Sequence, residues 1–136
     1  MKKIDDPRGN RLDWTQAPSQ VMATWLDDPR PAVRDRAIDT LARRSDEGVN
    51  ALAEVVASAG KNPTVSAQQR KNAVWALSRI GNDAARDTLR TALNDPDATV
   101  RQAAVRSLGI LADDASVWKL CQTVSYTHLR AHETSI

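Results

Sequence analysis

Few side chains of this sequence could carry out chemistry, and their positions are uneven. The 136 residues include two histidines, one cysteine and one tyrosine. His128, His132 and Tyr126 all follow residue 123, so residues 1–123 contain no imidazole to act as a general base or as a nitrogen ligand for a metal. Carboxylates recur there only as expected helix caps and surface charges. The sequence therefore predicts no catalytic residue, no metal site, no cofactor and no small-molecule substrate.

The single cysteine, Cys121, follows Trp118 and Leu120 on an apolar helical stripe. This setting favours a buried, unreactive thiol over a nucleophile. One cysteine also excludes a disulfide framework and any CxxC metal or haem motif. No apolar run is long enough to span a membrane and no signal peptide follows Met1, so we expect no membrane partner.

The residues after position 123 need a separate explanation. Residues 124–134 resemble, position by position, the conceptual translation of a transposon-type sequencing adapter. We therefore interpret 124–136 as a non-native tail, with a natural helix end as the alternative, and leave His132 and Glu133 out of the functional argument. In that interpretation the sequence is a fragment whose native chain continues, and whether the first residue is the true start stays open.

Positive and negative charges are nearly balanced along the chain. The net charge is +2, and removing Arg130 and Glu133 with the tail does not change it. Acidic residues lie among the basic ones, as where Asp35 stands between Arg34 and Arg36. This alternation is typical of a solvated helical surface with ion pairs, whereas a nucleic-acid track clusters positive charge on one face. We therefore expect no nucleic-acid partner.

The sequence contains an internal repeat. At an offset of 67 residues, eight positions of one segment match eight of another, seven of them identically. The pairs are Leu26 and Leu93, Asp28 and Asp95, Pro29 and Pro96, Val33 and Val100, Arg34 and Arg101, Ala37 and Ala104, Ile38 and Val105, and Leu41 and Leu108. A middle copy lies 31 residues before the last and has Arg70, Ala73, Val74, Leu77 and Ile80. The first and middle copies are 36 residues apart, and the five extra residues fall in the turn-rich segment 58–64.

Each copy predicts a pair of helices. Val33, Ala37 and Leu41 follow a 3.6-residue period, and alternation with period two is absent. Asp28-Pro29 and its copy at 95–96 are interpreted as helix starts, with Asp as the N-cap and Pro in the first turn. Second helices are predicted over 46–59, 82–94 and 113–123, and an unpaired leading helix over 16–26.

Helix pairs of about 31 residues cannot bury their apolar stripes alone and must stack on their neighbours. We therefore predict an all-α fold, a right-handed α-solenoid of about three helical hairpins plus one leading helix. The repeat domain is expected over 15–123, with repeats at about 27–59, 64–94 and 95–123. A poorly ordered N-terminal extension is expected over 1–14.

The motif Asp-Pro-x-x-x-Val-Arg-x-x-Ala-Ile-x-x-Leu begins at Asp28 and recurs, with Val for Ile, at Asp95. It resembles HEAT repeats, specifically the short HEAT-like kind associated with phycobilisome lyases, and the likeness covers 26–123. A finer likeness, in 26–34 and 70–80, is to the HEAT section of large bacterial extracytoplasmic dehydrogenase-like proteins with a c-type haem domain. The haem motif and propeller of such a parent are not in this sequence, which would be a spacer between them.

The resemblance implies a structural ladder. In HEAT-like arrays the repeated arginine pairs with the aspartate of its own repeat or of the neighbouring one and so fixes the stacking angle. The middle copy has Thr64 in place of that aspartate. An anion-binding role for these arginines is the alternative. The expected ladder consists of Asp28, Arg34, Arg70, Asp95 and Arg101.

One aromatic residue stands at a position that is polar in the other copies. Trp75 corresponds to Asp39 and Arg106, so an exposed indole there indicates a contact surface. The alternative is that loop 58–66 folds over the ring and buries it. The concave face is expected to come from the second helices. The candidate partner-binding residues are Trp75, Arg79, Arg86 and Arg90.

These observations predict a non-catalytic scaffold for a protein partner or for neighbouring domains of the same chain. The alternative is the spacer of a haem-containing dehydrogenase, and a HEAT-like DNA-binding or DNA-glycosylase protein fits the charge pattern less well. HEAT-like hydroxylases bind iron through His-Glu pairs, but His132 and Glu133 lie in the tail. A free-standing protein would be cytoplasmic, and a segment of the dehydrogenase-like parent would be extracytoplasmic.

Overall fold

The computed structural model describes residues 4–111, which form α-helices and one short 3-10 helix and contain no strand. The helices are α1 (Ser19–Thr24), the 3-10 helix (Trp25–Asp27), α2 (Pro31–Arg43), α3 (Asp46–Ala57), α4 (Ala67–Ile80), α5 (Asp83–Ala92) and α6 (Ala98–Ile110). The second helix predicted over 113–123, Cys121 and the tail 124–136 lie outside the described residues. The all-α prediction is confirmed.

The helices form two layers. The first helices of the hairpins pack in the order α2, α4, α6, and the layer behind them contains α1, α3 and α5 in the same order. Helix α4 contacts α2, α3, α5 and α6, so it lies at the centre of the stack. This side-by-side arrangement of α-hairpins is an α-solenoid, and α1 takes the place of the second helix of a repeat before α2.

The repeated apolar positions make the core. Val33, Ala37 and Leu41 of α2 are fully buried, as are their copies Val100, Ala104 and Leu108 of α6. In α4 the same stripe contains Ala73, Val74 and Leu77, each with no exposed surface. A fully buried aliphatic side chain contributes about 1.5–3 kcal/mol to folding. Because these stripes meet those of neighbouring helices, each repeat is stabilised mainly by the next.

The predicted helix caps are wrong. Helix α2 begins at Pro31 after Arg30, and α6 begins after Asp97, whose side chain accepts a hydrogen bond from Thr99 N at 2.8 Å. The two repeated aspartates instead close the preceding turns. Asp28 Oδ1 accepts from Arg30 N at 2.9 Å, and Asp95 Oδ1 accepts from Asp97 N at 2.9 Å. Each carboxylate thus bonds an amide two residues ahead, which is a turn, and the helix starts later.

Residues 4–18, which include most of the N-terminal extension expected over 1–14, contact the helices that follow them. Trp14 Nε1 donates to Gly9 O at 2.7 Å, and Arg30 Nη1 donates to Asp6 O at 3.1 Å. The Trp14 ring makes an edge contact with Trp25 and lies 4.5 Å from the Arg36 guanidinium carbon. This segment therefore folds back onto the 3-10 helix and α2.

Gly9 permits that close approach. Its φ is +64°, and a Cβ there would lie 2.7 Å from Val33 Cγ2. We expect Gly9→Ala to lower the free energy of unfolding by about 1–3 kcal/mol, because it adds backbone strain and a clash in the core. Urea denaturation measures this change.

Gly109→Ala is the matched control, since a Cβ at this helical glycine meets nothing within 4 Å. It should raise the free energy of unfolding by up to about 1 kcal/mol. Equal effects of the two substitutions would show that residues 4–18 do not pack as described.

Candidate functional site

A buried ion pair joins α4 to the turn before α6. Arg70 Nε lies 2.8 Å from Asp95 Oδ2, and Arg70 Nη2 lies 3.2 Å from Asp95 Oδ1, so the contact is bidentate. The two side chains are 9% and 1% exposed. Arg70 also donates to Val65 O at 3.2 Å. Because Arg70 and Asp95 belong to successive repeats, this pair fixes the position of one repeat on the next.

The equivalent arginines bind backbone instead. Arg34 Nη1 donates to Asp28 O at 2.8 Å, and Arg101 Nη1 donates to Asp95 O at 2.8 Å and to Pro96 O at 3.0 Å. With the bond from Arg70 to Val65 O, each of the three arginines thus holds the turn that precedes its own helix.

The expected pairing of Arg34 with the Asp28 carboxylate is therefore wrong. That carboxylate accepts from Arg30 Nε at 2.8 Å and from Arg30 Nη2 at 3.0 Å. Arg30 is closer in the chain and takes both oxygens, whereas Arg34 reaches the carbonyl. At position 64 the middle repeat offers Thr64, so Arg34 meets no aspartate of the next repeat.

The junction between the first two repeats uses neutral amides. Gln69 Nε2 donates to Ala23 O at 3.0 Å, and Asn72 Nδ2 donates to Leu26 O at 2.7 Å, with both donors buried. These carbonyls lie at the end of α1 and in the 3-10 helix. Helix α4 therefore bonds the turn before α2 through amides and the turn before α6 through an ion pair. Comparison of the repeats did not select Gln69 and Asn72. The other copies have no amide side chain at these positions, and this difference could have identified them.

Loop 58–66 runs beside the buried pair. A shallow cavity of about 280 Å³ is lined by Lys61, Asp95 and Pro96 with the ends of α3 and α5, and another of about 250 Å³ is lined by Lys61, Pro63 and Arg70. A third, of about 210 Å³, lies between this loop, α1 and α3. Within residues 4–111, no three His, Cys, Asp or Glu side chains are grouped to hold a metal ion.

The candidate contact residues lie in two layers. Trp75 and Arg79 are one turn apart on α4, in the first layer. Trp75 is half-buried and packs against the core, and Arg79 is 57% exposed with Nη1 at 3.6 Å from Asp39 Oδ1. On α5, in the second layer, Arg86 Nε donates to Gly81 O at 3.0 Å and Arg90 pairs with Asp87. The four residues therefore do not form a single stripe.

The outer surface of α6 adds residues that sequence reasoning did not select. Ile110 is 69% exposed, and Arg106 is exposed one turn before it. Both lie on the helix that packs beside α4. Comparing residues across neighbouring helices, rather than at equivalent positions alone, would have indicated them.

Residues 65–130 match the family model for HEAT repeats. This segment consists of HEAT repeats. The matched range includes α4, α5 and α6 and continues into 112–130, outside the described residues. No curated protein and no solved structure matches the chain. HEAT repeats generally mediate protein–protein interaction or scaffolding and are typically non-catalytic. Among residues 4–111 no helix is long and apolar enough to cross a membrane.

Breaking the buried pair should be costly. We expect Arg70→Ala to lower the free energy of unfolding by about 3–5 kcal/mol, because it leaves the Asp95 carboxylate buried without its cation. Arg70→Met combined with Asp95→Asn should recover part of that loss. Chemical denaturation measures both.

The matched control is Arg43→Ala, which removes an exposed ion pair with Asp39. Its effect should stay below about 1 kcal/mol. A loss at Arg70 no larger than at Arg43 would contradict the burial of the pair.

Asp28 gives the fold a dependence on pH. Hydrogen bonds from the Arg30 guanidinium hold the pKa of this carboxyl below its usual value of 3.8. A carboxylate whose pKa is lower in the folded protein stabilises the fold above the unfolded pKa and loses that contribution as the pH falls through the folded value.

We therefore expect Asp28→Asn to lower stability at neutral pH and to make the loss of stability in acid less steep. Urea denaturation from about pH 5 to about pH 2 should show the wild type and the variant converging. Parallel curves over that range would show that the Arg30 contact is not present in solution.

Proposed function

We propose that this chain is a non-catalytic scaffold that binds a protein partner or spaces neighbouring domains of the same chain. The observation that carries this proposal is Trp75, a half-buried indole on the outer surface of α4 where α2 has Asp39 and α6 has Arg106. A large aromatic side chain with one side in the core and the other toward solvent is a typical anchor for a partner.

The stack is suited to such a role because its contact surface is held in place. Arg70 and Asp95 fix one neighbour of α4, and Gln69 and Asn72 fix the other. A surface that is already ordered loses little conformational freedom when a partner binds. Arg79 lies one turn from Trp75, and its exposed contact with Asp39 contributes little to stability, so it can exchange Asp39 for a partner carboxylate.

We expect combined replacement of Trp75 and Arg79 by Ala to weaken partner binding by about tenfold or more. Proteins captured from an extract of the source organism by the wild-type chain would be compared with those captured by the double variant. A protein lost with the variant would then be purified and titrated against both forms.

Lys61→Ala is the matched control, because Lys61 is exposed in loop 58–66 on the side of α3 and α5. It should retain binding, and circular dichroism checks the folding of every variant. If every purified protein binds the folded double variant as tightly as it binds the wild-type chain, Trp75 and Arg79 are not part of a partner-binding surface.

A further inference from the structure

The outer surface of the first layer has an apolar spot between cations. The Asp39–Arg79 contact of 3.6 Å defines which positions of α2 and α4 meet across this surface. By the repeat offsets of 36 and 31 residues, the equivalent positions on α4 and α6 are Trp75 and Ile110. Where α2 and α4 have an ion pair, α4 and α6 thus have two apolar side chains at the equivalent positions.

Basic residues stand on each side of this apolar pair. On α4, Lys71 and Arg79 lie one turn before and one turn after Trp75, and helical residues four apart share a face. On α6, Arg106 lies one turn before Ile110. We call these five residues the α4–α6 face.

Acidic residues of the same stripe lie on α2. Asp35 and Asp39 are the copies of Lys71 and Trp75, and Asp39 is shared by Arg43 and Arg79. Along this stripe the net charge therefore changes from −1 on α2, where Arg43 follows the two aspartates, to +2 on α4 and +1 on α6. A negatively charged ligand is therefore attracted more strongly to the α4–α6 face than to α2.

We propose that the α4–α6 face binds an acidic peptide segment that has an apolar side chain at its centre. The apolar side chain packs against Trp75 and Ile110, and flanking carboxylates pair with Lys71, Arg79 and Arg106. This inference rests on the proposed protein-binding function and specifies the chemistry of the partner. An indole one turn from an arginine has the composition of a binding hot spot, since both residue types are enriched there.

The test uses the full chain and short fluorescein-labelled peptides followed by anisotropy at low salt. One peptide has a central Leu flanked by Asp and Glu. Its matched partners replace the carboxylates by Asn and Gln, replace them by Lys, or replace the Leu by Gly. We expect the acidic Leu peptide to bind at least about tenfold more tightly than each of the others.

Variants then locate the site. Arg106→Glu should weaken the acidic peptide by about tenfold, whereas Lys61→Glu, with the same change of net charge, should weaken it by less than about twofold. Trp75→Leu should retain more binding than Trp75→Ala, because it keeps an apolar contact. Arg106 is exposed, so its variant tests the proposal even if replacement of Trp75 prevents folding.

The proposal would be overturned by equal binding of the acidic and amide peptides, by equal effects of Arg106→Glu and Lys61→Glu, or by no binding of the acidic peptide at millimolar concentration. Arg106-dependent binding of a single-stranded oligonucleotide without peptide binding would also overturn it. A partner that binds the wild-type chain and Arg106→Glu equally well would be consistent with the scaffold function. It would exclude only the α4–α6 face as the binding site.

Discussion

The stack depends on burial of α4 from both sides. Ala73, Ala76 and Leu77 have no exposed surface, and α4 contacts helices that belong to three different hairpins. A hairpin in isolation would leave this stripe in water, so the hydrophobic contribution appears only when neighbours are present. Polar bonds then select one arrangement among the many that would bury the same area. Gln69 and Asn72 do so toward α2, and Arg70 does so toward α6.

The repeated spacing of apolar residues was enough to predict the helix pairs and their stacking, because apolar residues with a 3.6-residue period form one face of a helix, and that face must be buried. Helix starts were harder. The Asp-Pro signal at Asp28 and Asp95 was correctly recognised as a break, but a carboxylate two residues before an amide can close a turn as readily as it can cap a helix. The hydrogen bonds in the structure distinguish a turn from a cap, and they show that Asp97 is the N-cap of α6.

The candidate site was predictable in part. Comparing equivalent positions isolated Trp75 because the other copies are polar there, and the same comparison placed the three arginines at one helical position. It did not show that Arg30 would take the Asp28 carboxylate, since that competition is decided by side-chain reach. Nor did it associate Trp75 with Ile110, because the step between helices is set by how α2 and α4 pack and is not written in either helix alone.

Helix α4 forms different polar bonds on its two sides, so the position of each repeat in the array is specified by its own side chains. If the middle repeat were deleted, Arg34 would occupy the place of Arg70 and could meet Asp95. Val100 and Ala103 would then stand where Gln69 and Asn72 are, and the carbonyls of Ala23 and Leu26 would lose those amide donors. The units are therefore similar in shape but not interchangeable, since a shortened array could keep the ion pair at its new junction and would lose the amide bonds there.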